Sequence, residues 1–260
     1  MDEESKRERS GASKIASQGY YKFFAGLGNK PPNWSLGEVR PKDFACTGPW
    51  LPSRKDVRIL DFGCGLGHMM FSMWCAGYRN IEGVEIDRGQ FEIATQSAGG
   101  RCKFNLADGF EFLSQRIEEY DLVVVCDVIQ HFDKERVRQL LALISQCLRP
   151  GGTVFIRTPN MASVLAGYSR YLDFENNTGF TEFSLAYVLA EAGFRGVSFV
   201  ADNTGWYPSQ WRPWAPLRGL GVRWLLNRIL HSILYGVRTQ FPHPTRYGYN
   251  LEVYASKASG

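Results

Sequence analysis

A short apolar strand that runs into a glycine at every second position constrains this chain more than any other feature. Residues 57–69 read V-R-I-L-D-F-G-C-G-L-G-H-M. Gly63, Gly65 and Gly67 carry no Cβ, so the backbone can turn sharply after Asp61 and approach a ligand closely. A turn of this kind opens a nucleotide site. The dinucleotide fingerprint G-x-G-x-x-G needs its third glycine at position 68, where His68 stands, so the spacing argues against a pyrophosphate-bearing dinucleotide.

The chain has 260 residues, enough for one α/β domain with a full core and an elaboration, and too few for two independent enzymes. Its net charge of +4, on 30 basic and 26 acidic side chains, comes without a dense basic stripe, so there is no strong nucleic-acid signal. Six cysteines (Cys46, Cys64, Cys75, Cys102, Cys126 and Cys147) are scattered singly, as reduced thiols in a cytoplasmic protein are. No CxxC and no histidine pair at ligand spacing is present, and no metal site is expected. Residues 1–19 are charged and nearly free of apolar side chains, which reads as a disordered, solvated tail rather than a signal peptide. Residues 20–56 read as a helical and looped lead-in punctuated by proline and glycine.

Beyond residue 57, β-branched apolar runs alternate with helical patterns, the signature of a largely parallel sheet covered on both faces. Strands are predicted at 57–62, 81–85, 102–106, 121–126, 153–157, 197–201 and 249–255. The clearest helix is D-K-E-R-V-R-Q-L-L-A-L-I-S-Q-C-L. There Val137, Leu140, Leu141, Ile144 and Leu148 recur at helical spacing, and Pro150-Gly151-Gly152 is expected to stop it. A second helix is predicted in F-T-E-F-S-L-A-Y-V-L-A-E-A-G-F. Thr181 or Ser184 caps it, Leu185, Val188, Leu189 and Ala192 form its apolar stripe, and Gly193 ends it.

With Asp61 two places before G-x-G-x-G, the chain resembles the class I S-adenosylmethionine-dependent methyltransferases. The resemblance implies an α/β fold: a Rossmann-like, seven-stranded sheet, mostly parallel with its last strand antiparallel, helices on both faces, S-adenosylmethionine as cofactor, and residues 57–260 as the methyltransferase domain. It implies a cofactor site built from Asp61, Gly63, Cys64, Gly65 and Gly67, then from residues at the ends of successive strands. Glu85, ending N-I-E-G-V-E, can accept both ribose hydroxyls, with Asp87 its rival. Asp108 and the Gly109 amide can meet the adenine edge, between Ile86 on one face and Phe110 or a neighbour on the other. Cys126 and Asp127, ending the fourth strand, face the transferring methyl.

Methyl transfer from a sulfonium is an in-line displacement, so positioning dominates, and a hydroxyl acceptor also needs a base. His131, in C-D-V-I-Q-H-F, has an unperturbed pKa of about 6.5 and can be that base or can merely orient the loop. Asp127 can accept from an acceptor hydroxyl, assist the imidazole or simply end the strand. The chain is further similar to a subgroup from bacterial surface-glycan and exopolysaccharide clusters. The blocks G-L-G-H, D-G-F-E-F-L, L-R-P-G-G-T-V-F-I-R-T-P-N and R-Y-L-D-F followed by G-F-T-E-F-S-L carry that similarity over residues 57–200. Arg170 and Asp173 of this region are candidate acceptor contacts. Relatives typically read D-x-T-H-E, whereas this chain has Asp173-Phe174-Glu175-Asn176-Asn177 and lacks that histidine.

The acceptor, a small molecule or glycan, is expected under a cap formed by residues 203–245. Trp206, Tyr207 and Trp211 offer faces for stacking, and Arg212 can grip an anion. A satellite hydrophobic cluster is the plainer reading of these aromatics. Residues 219–238 read as an amphipathic basic helix. It can pack on its own domain, lie peripherally on a membrane, or serve as a lid or homo-oligomer face.

Overall fold

The computed structural model describes residues 30–35, 48–200, 229–230, 232–233, 244–246 and 248–258. The elements run β1 (Ile59–Phe62), α1 (His68–Cys75), β2 (Ile81–Glu85), α2 (Arg88–Ala98), β3 (Lys103–Leu106), α3 (Gly109–Ser114) and β4 (Tyr120–Cys126). A 3-10 turn (Ile129–His131) follows, then α4 (Lys134–Cys147), β5 (Leu148–Pro159), α5 (Ala166–Leu172), α6 (Glu182–Glu191), β6 (Phe194–Phe199) and β7 (Asn250–Lys257).

Seven strands form one sheet in the order β3-β2-β1-β4-β5-β7-β6. All neighbours from β3 to β5 pair in parallel, and β7 runs antiparallel to both β5 and β6. The expected architecture is therefore present, antiparallel last strand included.

Period-two alternation splits the core across the two sheet faces. Val123 and Val125 of β4 join Leu60, Val154 and Ile156 under α3, α4 and α6, where Phe112, Leu140, Ile144 and Leu185 meet them. Leu122 and Val124 face the other way, with Ile59 and Phe155, against α1 and two lead-in tryptophans. Trp50 stacks on Phe155 at 3.9 Å between ring centroids, and Trp34 meets Phe71 edge-on at 5.2 Å. The lead-in thus closes one face of the sheet.

The caps follow their sequence signals. Thr181 accepts from the Ser184 amide while Ser184 Oγ accepts from the Thr181 amide, so both candidate caps act together in one capping box. Gly193, one residue past the Ala192 C-cap of α6, has φ +85°. Some boundaries differ: β6 begins at Phe194 rather than at 197, and β5 begins at Leu148 rather than at 153. The helix expected to run through Leu148 ends at Cys147, and Leu148 is already extended (φ −74°, ψ 140°) and paired with Tyr120. Pro150 disfavours helical conformation at Arg149, so the helix must end upstream of the proline. The strand then bulges through Gly151 (φ +74°) before regular pairing resumes at Thr153.

Strand order reverses between β1 and β4, and open α/β sheets bind ligands outside the carboxyl ends of their strands at such a switch point.

Candidate active site

A cleft of about 890 Å³ opens at that switch point. Its floor is the turn after β1. Gly63 (φ +69°) and Gly65 (φ +52°) take left-handed conformations, and a Cβ at Gly63 would lie 2.5 Å from Val128 Cγ2, so the loops after β1 and β4 touch across the floor. Gly67 (φ +82°) was expected among the ligand contacts but does not line the cleft. It precedes α1, where a Cβ would stand 3.2 Å from Phe104, so it serves helix-to-strand packing.

Asp61 is 2% exposed, and its Oδ2 has no partner among the described residues. Burial first, and then the nearby Glu85 charge, push its pKa up to about 7. Cys64 and Cys126 also line the cleft, and burial holds the Cys64 thiol well above its ordinary range, so it is no nucleophile.

Glu85 ends β2 and is buried. Its Oε1 accepts from the amides of Ile86 (2.9 Å) and Asp87 (2.8 Å), and its Oε2 from the Gly65 amide (2.8 Å). Burial raises its pKa, with the three amides opposing. Asp87 caps α2 through Oδ1, which accepts from the Gln90 amide at 2.8 Å. Asp108 caps α3, with the amides of Phe110 (2.7 Å) and Glu111 (3.2 Å) both on Oδ1, which leaves Oδ2 outside the cap. Ile86 stands 60% exposed on the cleft wall. Phe110 is buried in an aromatic group, edge-on to Phe62 and Phe132, with the Arg136 guanidinium 3.6 Å over its ring.

At the end of β4, Asp127 takes φ +56°, uncommon for a residue with a Cβ. Its amide donates to the Arg157 carbonyl, and the buried Arg157 guanidinium grips its carboxylate through Nε and Nη2. The carboxylate is thus tied to Arg157, and Asp127 reaches the imidazole through its backbone instead: His131 Nε2 lies 3.1 Å from the Asp127 carbonyl oxygen. Both residues line the cleft.

The candidate acceptor contacts Arg170 and Asp173 do not line it. Arg170 holds the carbonyls of Asn176 and Asn177, and Asp173 Oδ1 accepts from the Glu175 amide. The loop they brace is stitched to the 3-10 turn: the amides of Asn177 and Thr178 donate to the Gln130 carbonyl, and Asn177 Nδ2 donates to the His131 carbonyl. That brings Glu175 to the cleft mouth. Arg170 and Asp173 therefore brace the loop that carries Glu175 without lining the cleft themselves. Trp206, Tyr207, Trp211 and Arg212 lie outside the described residues, as does most of 219–238. Of that helix, Ile229, Leu230 and Ile233 are helical and exposed.

Arg136, Glu175 and Gln90 line the cleft without having been singled out in the sequence. Arg136 had a usable signal, its place in the first turn of the helix that follows His131. Glu175 had none of its own, because backbone bonds from a distant turn deliver it.

The family model for the methyltransferase domain matches residues 30–198. The chain belongs to the methyltransferase-domain family. This methyltransferase is 30% identical over 106 residues to the ubiquinone biosynthesis O-methyltransferase of Aromatoleum aromaticum, covering 40% of this chain and 44% of that protein. It is 31% identical over 126 residues to the tRNA U34 carboxymethyltransferase of Azotobacter vinelandii, covering 46% and 39%. The matched stretches span less than half of either relative. A crystal structure of an S-adenosylmethionine-dependent methyltransferase from Archaeoglobus fulgidus shares the fold, with a TM-score of 0.56 at 20% identity over 78% of this chain and 86% of that one.

The cofactor of this methyltransferase is S-adenosylmethionine, and the cleft suits it. A glycine floor that admits close approach, an exposed apolar platform at Ile86 and a buried, unpartnered Asp61 oxygen match a ligand with an adenosine half and a cationic amino-acid half.

Proposed function

We propose that this chain transfers the methyl group of S-adenosylmethionine to a hydroxyl of a small molecule or glycan, with His131 taking up the hydroxyl proton. The observation that carries this reading is the contact between His131 Nε2 and the Asp127 carbonyl. A carbonyl oxygen only accepts, so Nε2 bears the ring proton, and the basic nitrogen of the neutral imidazole is Nδ1. His131 lines the cleft at the end of β4 with Nδ1 buried, so an acceptor hydroxyl must reach that nitrogen from within the cleft for the imidazole to serve as the base of an O-methyl transfer.

The cofactor, when bound, supplies an electrophilic methyl on a sulfonium. Asp61 and the glycine turn hold its amino-acid end, Glu85 its ribose, and Ile86, Asp108, the Gly109 amide and Phe110 its adenine. The Asp127–Arg157 pair fixes the backbone that orients His131. A glycan acceptor is supported by the similarity over residues 57–200 to the surface-glycan subgroup, and an O-linked product by the name of the Aromatoleum aromaticum relative. Peripheral contact with a membrane through residues 219–238 fits the exposed Ile229, Leu230 and Ile233 and would present a lipid-linked acceptor to the cleft. No helix among the described residues is long and apolar enough to cross a membrane. The Azotobacter vinelandii relative favours a second reading, an RNA acceptor.

Transfer of tritiated methyl from S-adenosylmethionine into separated glycan, lipid, metabolite and RNA fractions tests these readings. Label is expected in the glycan or metabolite fraction, and label confined to RNA would overturn the first reading. On the labelled acceptor, His131→Ala should lower turnover by about 10² while sparing cofactor affinity. A fall of less than about threefold would assign His131 a structural role.

A further inference from the structure

The lone pairs at the end of β2 do not suffice for Glu85 to hold a ribose alone. A carboxylate offers about four acceptor positions, two on each oxygen. In Glu85, Oε1 is filled by the amides of Ile86 and Asp87, and one position of Oε2 is filled by the amide of Gly65. One position remains for two vicinal hydroxyls. Taking both would strip a backbone amide from the turn that forms the cleft floor.

The adjacent carboxylate has the opposite imbalance. Asp87 is 4% exposed and lines the same cleft; its Oδ1 is committed to the helix cap, while Oδ2 is buried without a partner among the described residues. A buried carboxylate oxygen left without a donor is costly, and a hydroxyl arriving from the cleft would relieve it. The two acids are held side by side, since the Asp87 amide itself donates to Glu85 Oε1.

We propose that the cofactor ribose is divided between two carboxylates, one hydroxyl donating to Glu85 Oε2 and the other to Asp87 Oδ2. Asp87 is then a binding residue as well as a helix cap. The two residues are partners in one grip rather than rivals for it. This inference rests on the ribose lying at the end of β2.

Calorimetric titration with S-adenosylhomocysteine and its 2′-deoxy and 3′-deoxy analogues tests it, on wild type, Glu85→Ala and Asp87→Ser. Serine keeps a capping oxygen and removes the buried second carboxylate oxygen, so Asp87→Ser should melt no lower than wild type. Wild type is expected to lose affinity, about five- to tenfold, for either deoxy analogue. Asp87→Ser should bind S-adenosylhomocysteine about five- to tenfold more weakly and be indifferent to loss of one hydroxyl. Glu85→Ala should be indifferent to loss of the other. If Asp87→Ser keeps the full wild-type penalty for both analogues, the Asp87 assignment is overturned while the ribose site stands. If wild type itself is indifferent to both, the ribose site at β2 falls with it.

Discussion

Asp61 is a carboxylate placed where an ionised group is poorly tolerated until a cation arrives. Its pKa stands at about 7, against an unfolded value near 3.9, because burial disfavours the charge and Glu85 adds repulsion. Below about pH 4 both states hold the proton and Asp61 contributes no pH dependence. Between about pH 4 and 7 the folded state binds the proton and the unfolded state does not, so stability falls as pH rises through this window and levels off above it. Asp61→Asn abolishes that slope. In thermal melts, the gap by which Asp61→Asn outmelts wild type is expected to be wider at pH 8 than at pH 5. A gap independent of pH would place the titration elsewhere. The place of such residues in the cleft was legible in the sequence because it follows from position at or just after a strand end: Asp61, Glu85, Ile86, Asp108 and Phe110 all line the cleft from there. The Asp127–Arg157 pair, the left-handed backbone at Asp127 and the delivery of Glu175 were not legible. Each depends on a partner distant in sequence, and no local pattern signals it.

Between elements, the site depends on two loops in contact, the glycine turn after β1 and the turn after β4. A methyl at Gly63 would collide with Val128 and force a side chain into left-handed backbone, a strain of about 1–2 kcal/mol before the clash is counted. Gly63→Ala should therefore lower stability by about 2–4 kcal/mol in urea unfolding, and removing the Val128 side chain should return the steric part only. A double-mutant cycle of Gly63→Ala with Val128→Ala is expected to show a coupling of at least about 1 kcal/mol, whereas additivity would mean that the loops do not bear on one another. Helix and strand positions followed from periodicity and caps, as α4 and α6 show. The misplaced boundary at Leu148 marks where tertiary pairing with Tyr120 and the constraint of Pro150 outweighed a continuing apolar pattern.

At the scale of the molecule, one topological fact gathers the chemistry: strand order reverses at β1 and β4, and the strand ends that carry Asp61, Glu85, Asp108 and Asp127 meet at one cleft there. Asn160 Nδ2 donates to the carbonyls of Arg246 and Gly248, and Glu182 accepts from the amide and hydroxyl of Thr245, so chain that is remote in sequence is tied to the end of β5 and the start of α6. This is why the strand-end lining of the cleft could be read from motifs while contacts made by remote chain could not. Calorimetry of wild type and Glu85→Ala with S-adenosylhomocysteine and with NAD distinguishes an S-adenosylmethionine site in this cleft from a dinucleotide site. Saturable one-site binding of S-adenosylhomocysteine is expected, about tenfold or more weaker in Glu85→Ala, with no binding of NAD. Binding of NAD, or an affinity for S-adenosylhomocysteine unchanged by Glu85→Ala, would contradict it.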